Sequence, residues 1–154
     1  MKKYILVLIC LVLTTSTFSQ DAKNTDPDIK AVQQLVQNIF DDIWSAKKVE
    51  TISKYHTKDF ILLEHGEVWT NDTIADWCAR AAKRDQGVER INSFDFFKTE
   101  KTADRIWMAY HNYATFKSDQ GESKGQWLES VIAIKTKNGW KLQMMHSTRL
   151  PRKR

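Results

Sequence analysis

The sequence predicts an α+β domain whose helices come first and cover one face of a long antiparallel sheet. In the first half, apolar residues recur at helical spacing: Ile29, Val32, Leu35, Val36, Ile39, Phe40 and Ile43 lie on one face over four turns. From Val88 onward the pattern changes. The runs "VERINSFDFFKTEKT", "DRIWMAYHNYATFKS", "KGQWLESVIAIKTK" and "GWKLQMMHSTR" are rich in β-branched and aromatic residues and read as strands. Their connections, "KTAD", "DQGES" and "KNG", are too short for crossovers, so the four strands form an antiparallel meander.

Each element has its own local reason. "MKKYILVLICLVLTTSTFSQ" combines Lys2 and Lys3 with an apolar run too short to span a bilayer, then Thr17-Phe18-Ser19. It reads as a bacterial-type signal peptide cut after Ser19, so the expected location is periplasmic or secreted. Cys10 follows Ile9, which argues against a lipoprotein cleavage box. Residues 20–27 form a polar linker. Asp26 is placed to cap the first helix with Pro27 at its first position. A short helix is expected from about Val49 to Tyr55, and "DFILLEHGEVW" reads as a hairpin turning at Gly66. "TNDTIADWCARAAKR" is a third helix, capped by Asn71 or Thr70, with Ile74, Trp77, Cys78, Ala81 and Ala82 on one stripe. Asn71-Asp72-Thr73 also matches a glycosylation acceptor, but helix-start chemistry accounts for it. The domain spans 28–151, and 152–154 is a basic tail.

Composition narrows the function. Removing 19 residues from 154 leaves 135, enough for one domain. The formal charge of +5 falls to +3 without Lys2 and Lys3, and part of the remainder sits in "RLPRKR". No basic face interleaved with aromatics is present, so nucleic acid is not an expected partner. After signal cleavage no segment calls for stable membrane insertion. Cys78 is then the lone cysteine, so stability rests on the core; on its apolar stripe it reads as inert. The four histidines are scattered without metal-ligand spacing, and the five glycines fall in or near turns rather than in a phosphate loop. Neither a metal nor a cofactor is expected. Six tryptophans, seven phenylalanines and four tyrosines supply large rings that fill cores and line apolar pockets.

This order of elements resembles the nuclear transport factor 2-like, or SnoaL-like, superfamily. The closing motif "ESVIAIKTKNGWKLQMMHST" is similar to the closing hairpin of its calcium/calmodulin-dependent kinase II (CaMKII) association-type branch. Glu129, Ser130, Trp140, His146 and Thr148 match that motif, and the resemblance covers about Asp28 to Pro151. It implies a cone-shaped sheet wrapped around the N-terminal helices, with a pocket inside. The superfamily hosts isomerases, dehydratases, cyclases, hydrolases, binding proteins and oligomerisation modules, so fold alone does not choose among them.

Strand parity sorts the candidate residues. On the last strand Trp140, Leu142, Met144, His146 and Thr148 share the more apolar face, expected to point into the cone. A three-residue "KNG" loop pairs Thr136 with Trp140 and Ser130 with His146, leaving Glu129 outside unless a bulge re-aims it. His146 is then a general acid–base or ligand-orienting group, or a core histidine satisfied by Ser130. Asp59 is the candidate carboxylate partner; equally, it caps a turn. Tyr55, Trp69, His111, Tyr113, Trp127, Ser130 and His146 are the candidate ligand-binding residues, with the pocket face of the His111 strand left open. Three readings follow: an exported domain holding a small apolar or amphipathic molecule, docked as a homodimer through its outer sheet face; an enzyme of this fold using Asp59 and His146 as acid and base; or an assembly module with a filled cone.

Overall fold

The structure is a computed structural model that describes residues 26–85 and 87–151; the expected signal peptide and the tail at 152–154 lie outside the described residues. Helix α1, Pro27–Ile39, starts where Asp26 accepts hydrogen bonds from the backbone N–H groups of Asp28 and Ile29 at 2.9 and 3.4 Å, with Pro27 in the first turn. It buries Ile29, Val32, Leu35, Val36 and Ile39. The helix then widens into a π-turn, Phe40–Ser45, which turns Phe40, Ile43 and Trp44 into the interior. A 3₁₀ turn, Val49–Thr51, leads into the short α2, Ile52–Tyr55. Strands β1 (His56–Glu64) and β2 (Glu67–Thr70) form a hairpin turned at His65 and Gly66. Both turn residues have positive φ, as a primed two-residue turn demands. Helix α3, Asn71–Arg84, is capped by Thr70. Strands β3 (Glu89–Lys101), β4 (Arg105–Ser118), β5 (Gly121–Thr136) and β6 (Gly139–Arg149) complete the chain.

The six strands form one curved, unclosed sheet in the order β2-β1-β6-β5-β4-β3. The β3–β6 meander is antiparallel as expected. The whole sheet is mixed, because β1 lies parallel to β6. The intervening α3, β3, β4 and β5 supply the long crossover that a parallel pair needs. The core sits between α1, α2 and α3 and the concave face, with Tyr110, Phe60, Ile39, Ile43 and Leu142 among its largest fully buried side chains. Two clamps hold α1 to the sheet. Lys101 Nζ lies 2.8 Å from Asp26 and 2.9 Å from Asp28, and Trp140 Nε1 donates to Asp28 at 3.0 Å.

The β5–β6 register decides which side chains point inward, and here the sequence reading is corrected. The turn has two residues, with Thr136 opposite Gly139, so Ile134 faces Lys141 and Ala133 faces Leu142. A bulge at Gln143 then adds one residue to β6, and beyond it Ile132 faces Met144 and Ser130 faces His146. The pairing of Ser130 with His146 is as expected, but the bulge reverses the parity. Trp140 and Leu142 point inward as anticipated; beyond the bulge the inward residues are Met145, Ser147 and Arg149. Met145 and Ser147 are buried, and His146 and Thr148 are exposed. Glu129, paired with Ser147, turns inward and is only 3% exposed.

Candidate functional site

At one end of the concave face lies a cavity of about 260 Å³. Helical residues Phe40, Trp44 and Trp77 wall one side; Leu62, Trp69, Trp127 and Met145 continue the apolar lining from the sheet and hairpin. Trp44 and Trp77 meet edge to face at 5.1 Å. Gly125 shares a strand face with Trp127, and a Cβ there would come within 2.6 Å of the indole; the missing side chain lets the ring fold back along β5.

The polar groups in and behind this aromatic lining come from five strands, β1 and β3 to β6. Glu129 on β5 accepts from Ser147 Oγ at 2.9 Å and from Asn112 Nδ2 at 3.2 Å. Asn112 in turn accepts from Asn92 Nδ2 at 2.6 Å, and Asn92 accepts from Arg90 Nε at 3.0 Å. Every donor in this chain points from Arg90 toward the carboxyl of Glu129. The buried amides are thereby satisfied, and partial positive charge is aimed at one acid. Glu64 on β1 reaches the same hydroxyl from the other side, with its Oε1 3.5 Å from Ser147 Oγ. Burial pushes Glu129 up to about 7, opposed first by its bonds to Ser147 and Asn112 and then by the charge of Arg90. Burial raises Glu64 as well. Tyr110, opposite Glu129, is fully buried; its hydroxyl makes no hydrogen bond among the described residues, and burial followed by the charge of Glu129 raises it well above the usual range.

Two arginines complete the site. The Arg90 guanidinium lies 5.4 Å from the rings of Phe40, Phe116 and Trp127, and burial lowers its pKa to about 10. Arg149 lies 5.4 Å from Trp127. Among the described residues, neither the terminal nitrogens of Arg90 nor the guanidinium of Arg149 is taken by a protein hydrogen bond, so both keep donors for another group. No group of three or more His, Cys, Asp or Glu able to hold a metal comes together among the described residues.

Of the candidates from sequence, Trp69 and Trp127 line this cavity. Tyr55 is buried away from it and donates to Asp42. Ser130 and His146 lie on the convex face, opposite to the orientation expected: the two-residue turn sets the parity of β5 and carries Ser130 outward, and the bulge at Gln143 carries His146 outward on β6. His111 and Tyr113 also lie on the convex face, because their neighbours Tyr110 and Asn112 take the concave one. His111 packs against Phe97 at 5.2 Å and Tyr113 at 6.1 Å. Asp59 is exposed, and no hydrogen bond or ion pair joins it to His146. Cys78 is buried and its thiol is pushed up by burial. The histidine that is deeply buried is His56. It stacks on Phe60 at 3.8 Å, its Nδ1 donates to Asn71 at 3.0 Å, and burial depresses it to about 4.

The sequence reading missed Arg90, Asn92, Asn112, Glu64 and Ser147, and placed Glu129 outside. One cue was present in "RINSFDF". Arg90, Asn92, Phe94 and Phe96 share a face that runs from polar to aromatic, as a face does when it passes from a site into a core.

No family model matches the chain, and no curated protein sequence matches it. Solved structures do. Aln2 from a Streptomyces species superposes with a TM-score of 0.68 at 15% identity, over 80% of this chain and 92% of its own. A ketosteroid isomerase-like protein from Erwinia carotovora gives 0.61 at 11% identity, over 82% and 99%. A CaMKII hub from S. rosetta gives 0.61 at 15% identity, over 79% and 95%. Identities this low speak for backbone architecture, and the architecture agrees along nearly the whole described chain: this protein has the nuclear transport factor 2-like fold, in the form shared by SnoaL-like proteins and CaMKII hub domains.

Proposed function

We propose that this is an exported small-molecule-binding domain, and that its ligand carries a flat apolar body and one anionic group. The observation that supports this most directly is the pair of guanidinium groups beside Trp127, Arg90 and Arg149, whose terminal donors are taken by no hydrogen bond among the described residues and which line an aromatic cavity. The tryptophan faces suit a ring or short chain. The arginines suit a carboxylate, which they bind with directional, charge-assisted hydrogen bonds. A cationic ligand fits worse, because Arg90, Arg149 and Lys47 already stand over the aromatic faces. Export rests on the N-terminal sequence. Native mass spectrometry of the purified protein tests the pocket: a co-purified acid of a few hundred daltons is expected, and it should be lost in Arg90→Gln. An empty protein that also shows no tryptophan fluorescence change with aromatic carboxylates would refute this reading.

A second reading has its own support. Glu129 is a buried carboxyl that titrates at about 7, where a general acid–base is most effective. An isomerase, dehydratase or cyclase of this fold would use Glu129 as its proton carrier. Solvent deuterium entering a bound ligand in the wild type but not in Glu129→Gln is the expected sign; no exchange in either leaves binding alone.

The convex face supports a homodimer. Ile91, Phe97, Tyr113 and Leu128 are exposed large residues on β3, β4 and β5, and His111 lies among the last three. A patch of this kind marks an interface more often than a solvated wall. A hub among the structural neighbours agrees with assembly through this fold. Light scattering coupled to size exclusion reads the result directly, and a monomer at all concentrations would exclude it.

A further inference from the structure

We propose that the cavity takes its ligand as an acid: a small monocarboxylate docks on Arg90 and Arg149, and one proton enters Glu129 with it. This rests on the pocket reading above and adds to it the proton and the group that carries it.

Charges from several elements face one another across the cavity. Strand β1 contributes Glu64, with His65 at 3.5 Å beside it. Strand β3 contributes Arg90, β4 the uncharged Tyr110, β5 Glu129 and β6 Arg149. The helical cover contributes Phe40, Trp44 and Trp77, which carry no charge, and Lys47, whose Nζ stands 5.0 Å from the Trp77 ring centre, is 3.9 Å from Asp85 and interacts electrostatically with Arg90. Two acids therefore face two cations, and the set is neutral when both acids are ionised. A ligand carboxylate makes it three against two beside the buried Glu129. An unbalanced buried charge is costly, and a proton is the least expensive way to remove it.

Geometry selects the acceptor. Glu129 is 3% exposed, whereas the Glu64 side chain is 17% exposed and keeps access to water. Ser147 stands between them with one hydroxyl proton to give. At 2.9 Å it serves Glu129, leaving Glu64 at 3.5 Å without a full bond. A proton on this pair converts a contact between lone pairs into a continuous chain of hydrogen bonds. The charge of Arg90 is also one of the influences that hold Glu129 down. A ligand anion that draws on Arg90 weakens that hold and raises the affinity of Glu129 for a proton. By reciprocity, the proton raises the affinity for the anion.

Phenylacetate is a suitable probe, with phenylacetamide as its uncharged match. Calorimetric titration about one pH unit above the Glu129 midpoint, where the empty site is mostly ionised, in two buffers of different ionisation heat counts the protons exchanged. The expected result is uptake approaching one proton per phenylacetate, none for phenylacetamide, and affinity falling up to roughly tenfold per pH unit above the Glu129 midpoint. In Glu129→Gln the uptake should vanish and the affinity should become flat with pH. In Glu64→Gln the uptake should persist. Phenylacetate binding without buffer-dependent heat would overturn the proton proposal and leave the pocket standing. Uptake retained in Glu129→Gln would overturn it equally. Absence of phenylacetate binding at any pH, in a protein that melts cooperatively, would overturn the anion site and the proton proposal together.

Discussion

The two faces of the β5–β6 hairpin have nearly the same kinds of residue and opposite fates. On the concave face, Glu129 and Ser147 are buried and hydrogen-bonded to one another. On the convex face, Ser130 and His146 are paired in register with no hydrogen bond between them, and His146 is exposed. The acid, the two serines and the histidine lie within one residue of each other on their strands. On β6, what separates a cavity network from a solvated surface is the single extra residue, Gln143; on β5 the two-residue turn has already set the faces. Face assignment in a strand is a parity, so one bulge reverses everything beyond it while leaving the cross-strand partners intact.

Removing that residue is the strongest way to break the comparison. Deletion of Gln143 would force either Ser147 out of the cavity or the hairpin out of register. The expected cost is about 4 kcal/mol, a large share of the stability of an ordinary domain, and should lower the urea midpoint steeply. A soluble variant with an unchanged midpoint would show that the bulge does not hold the faces.

The buried acid and the buried histidine sharpen it next, because their pH dependences have opposite sign. Glu129 is raised in the folded state, from 4.5 to about 7, so folding binds the extra proton and its burden grows as pH rises through that window. Glu129→Gln is expected to leave stability unchanged at acid pH and to raise it by about 3 kcal/mol above neutrality. His56 is depressed, from 6.5 to about 4, so its contribution is full above 6.5 and is lost as pH falls through the window toward 4. His56→Gln should flatten that acid limb by a comparable amount. Urea midpoints across pH check both, and parallel curves for wild type and variant would sink either assignment.

The convex face offers a smaller effect that leaves the fold alone. If the convex face closes the proposed homodimer, Leu128→Glu is expected to weaken association by at least about tenfold, roughly 1.4 kcal/mol, while shifting the monomer's melting little. The smallest effect is expected at the residue that drew most attention in the sequence. His146→Ala should change stability by under about 0.5 kcal/mol and leave phenylacetate affinity unaltered, as an exposed side chain outside the cavity should.

Much of the architecture was legible before the structure. The α1 stripe, the Asp26 cap, the Gly66 turn and the four long strands all express local rules: a helical period, a side-chain acceptor, a positive φ, and β-branched runs. The site was legible only in part. Trp69 and Trp127 line the cavity, as large rings favour enclosed positions. His111, Tyr113, Ser130 and His146 were carried to the wrong side of the sheet, or left without a side, because parity has no absolute reference within a strand. Arg90, Asn92 and Asn112 were passed over because a polar residue on a strand reads as solvent-facing until its partners are known.

What this sequence determined by itself was the list of elements, their order, and the aromatic supply that makes an apolar cavity affordable. Those follow from interactions among residues close along the chain. The tertiary structure decided the rest: that β1 joins β6 in parallel, that the turn length sets Glu129 inward and a bulge brings Ser147 in beside it, and that four strands bring two acids and two arginines to one place. Each of these depends on contacts between residues tens of positions apart, where burial and charge balance, rather than local preference, determine which arrangement has the lowest free energy.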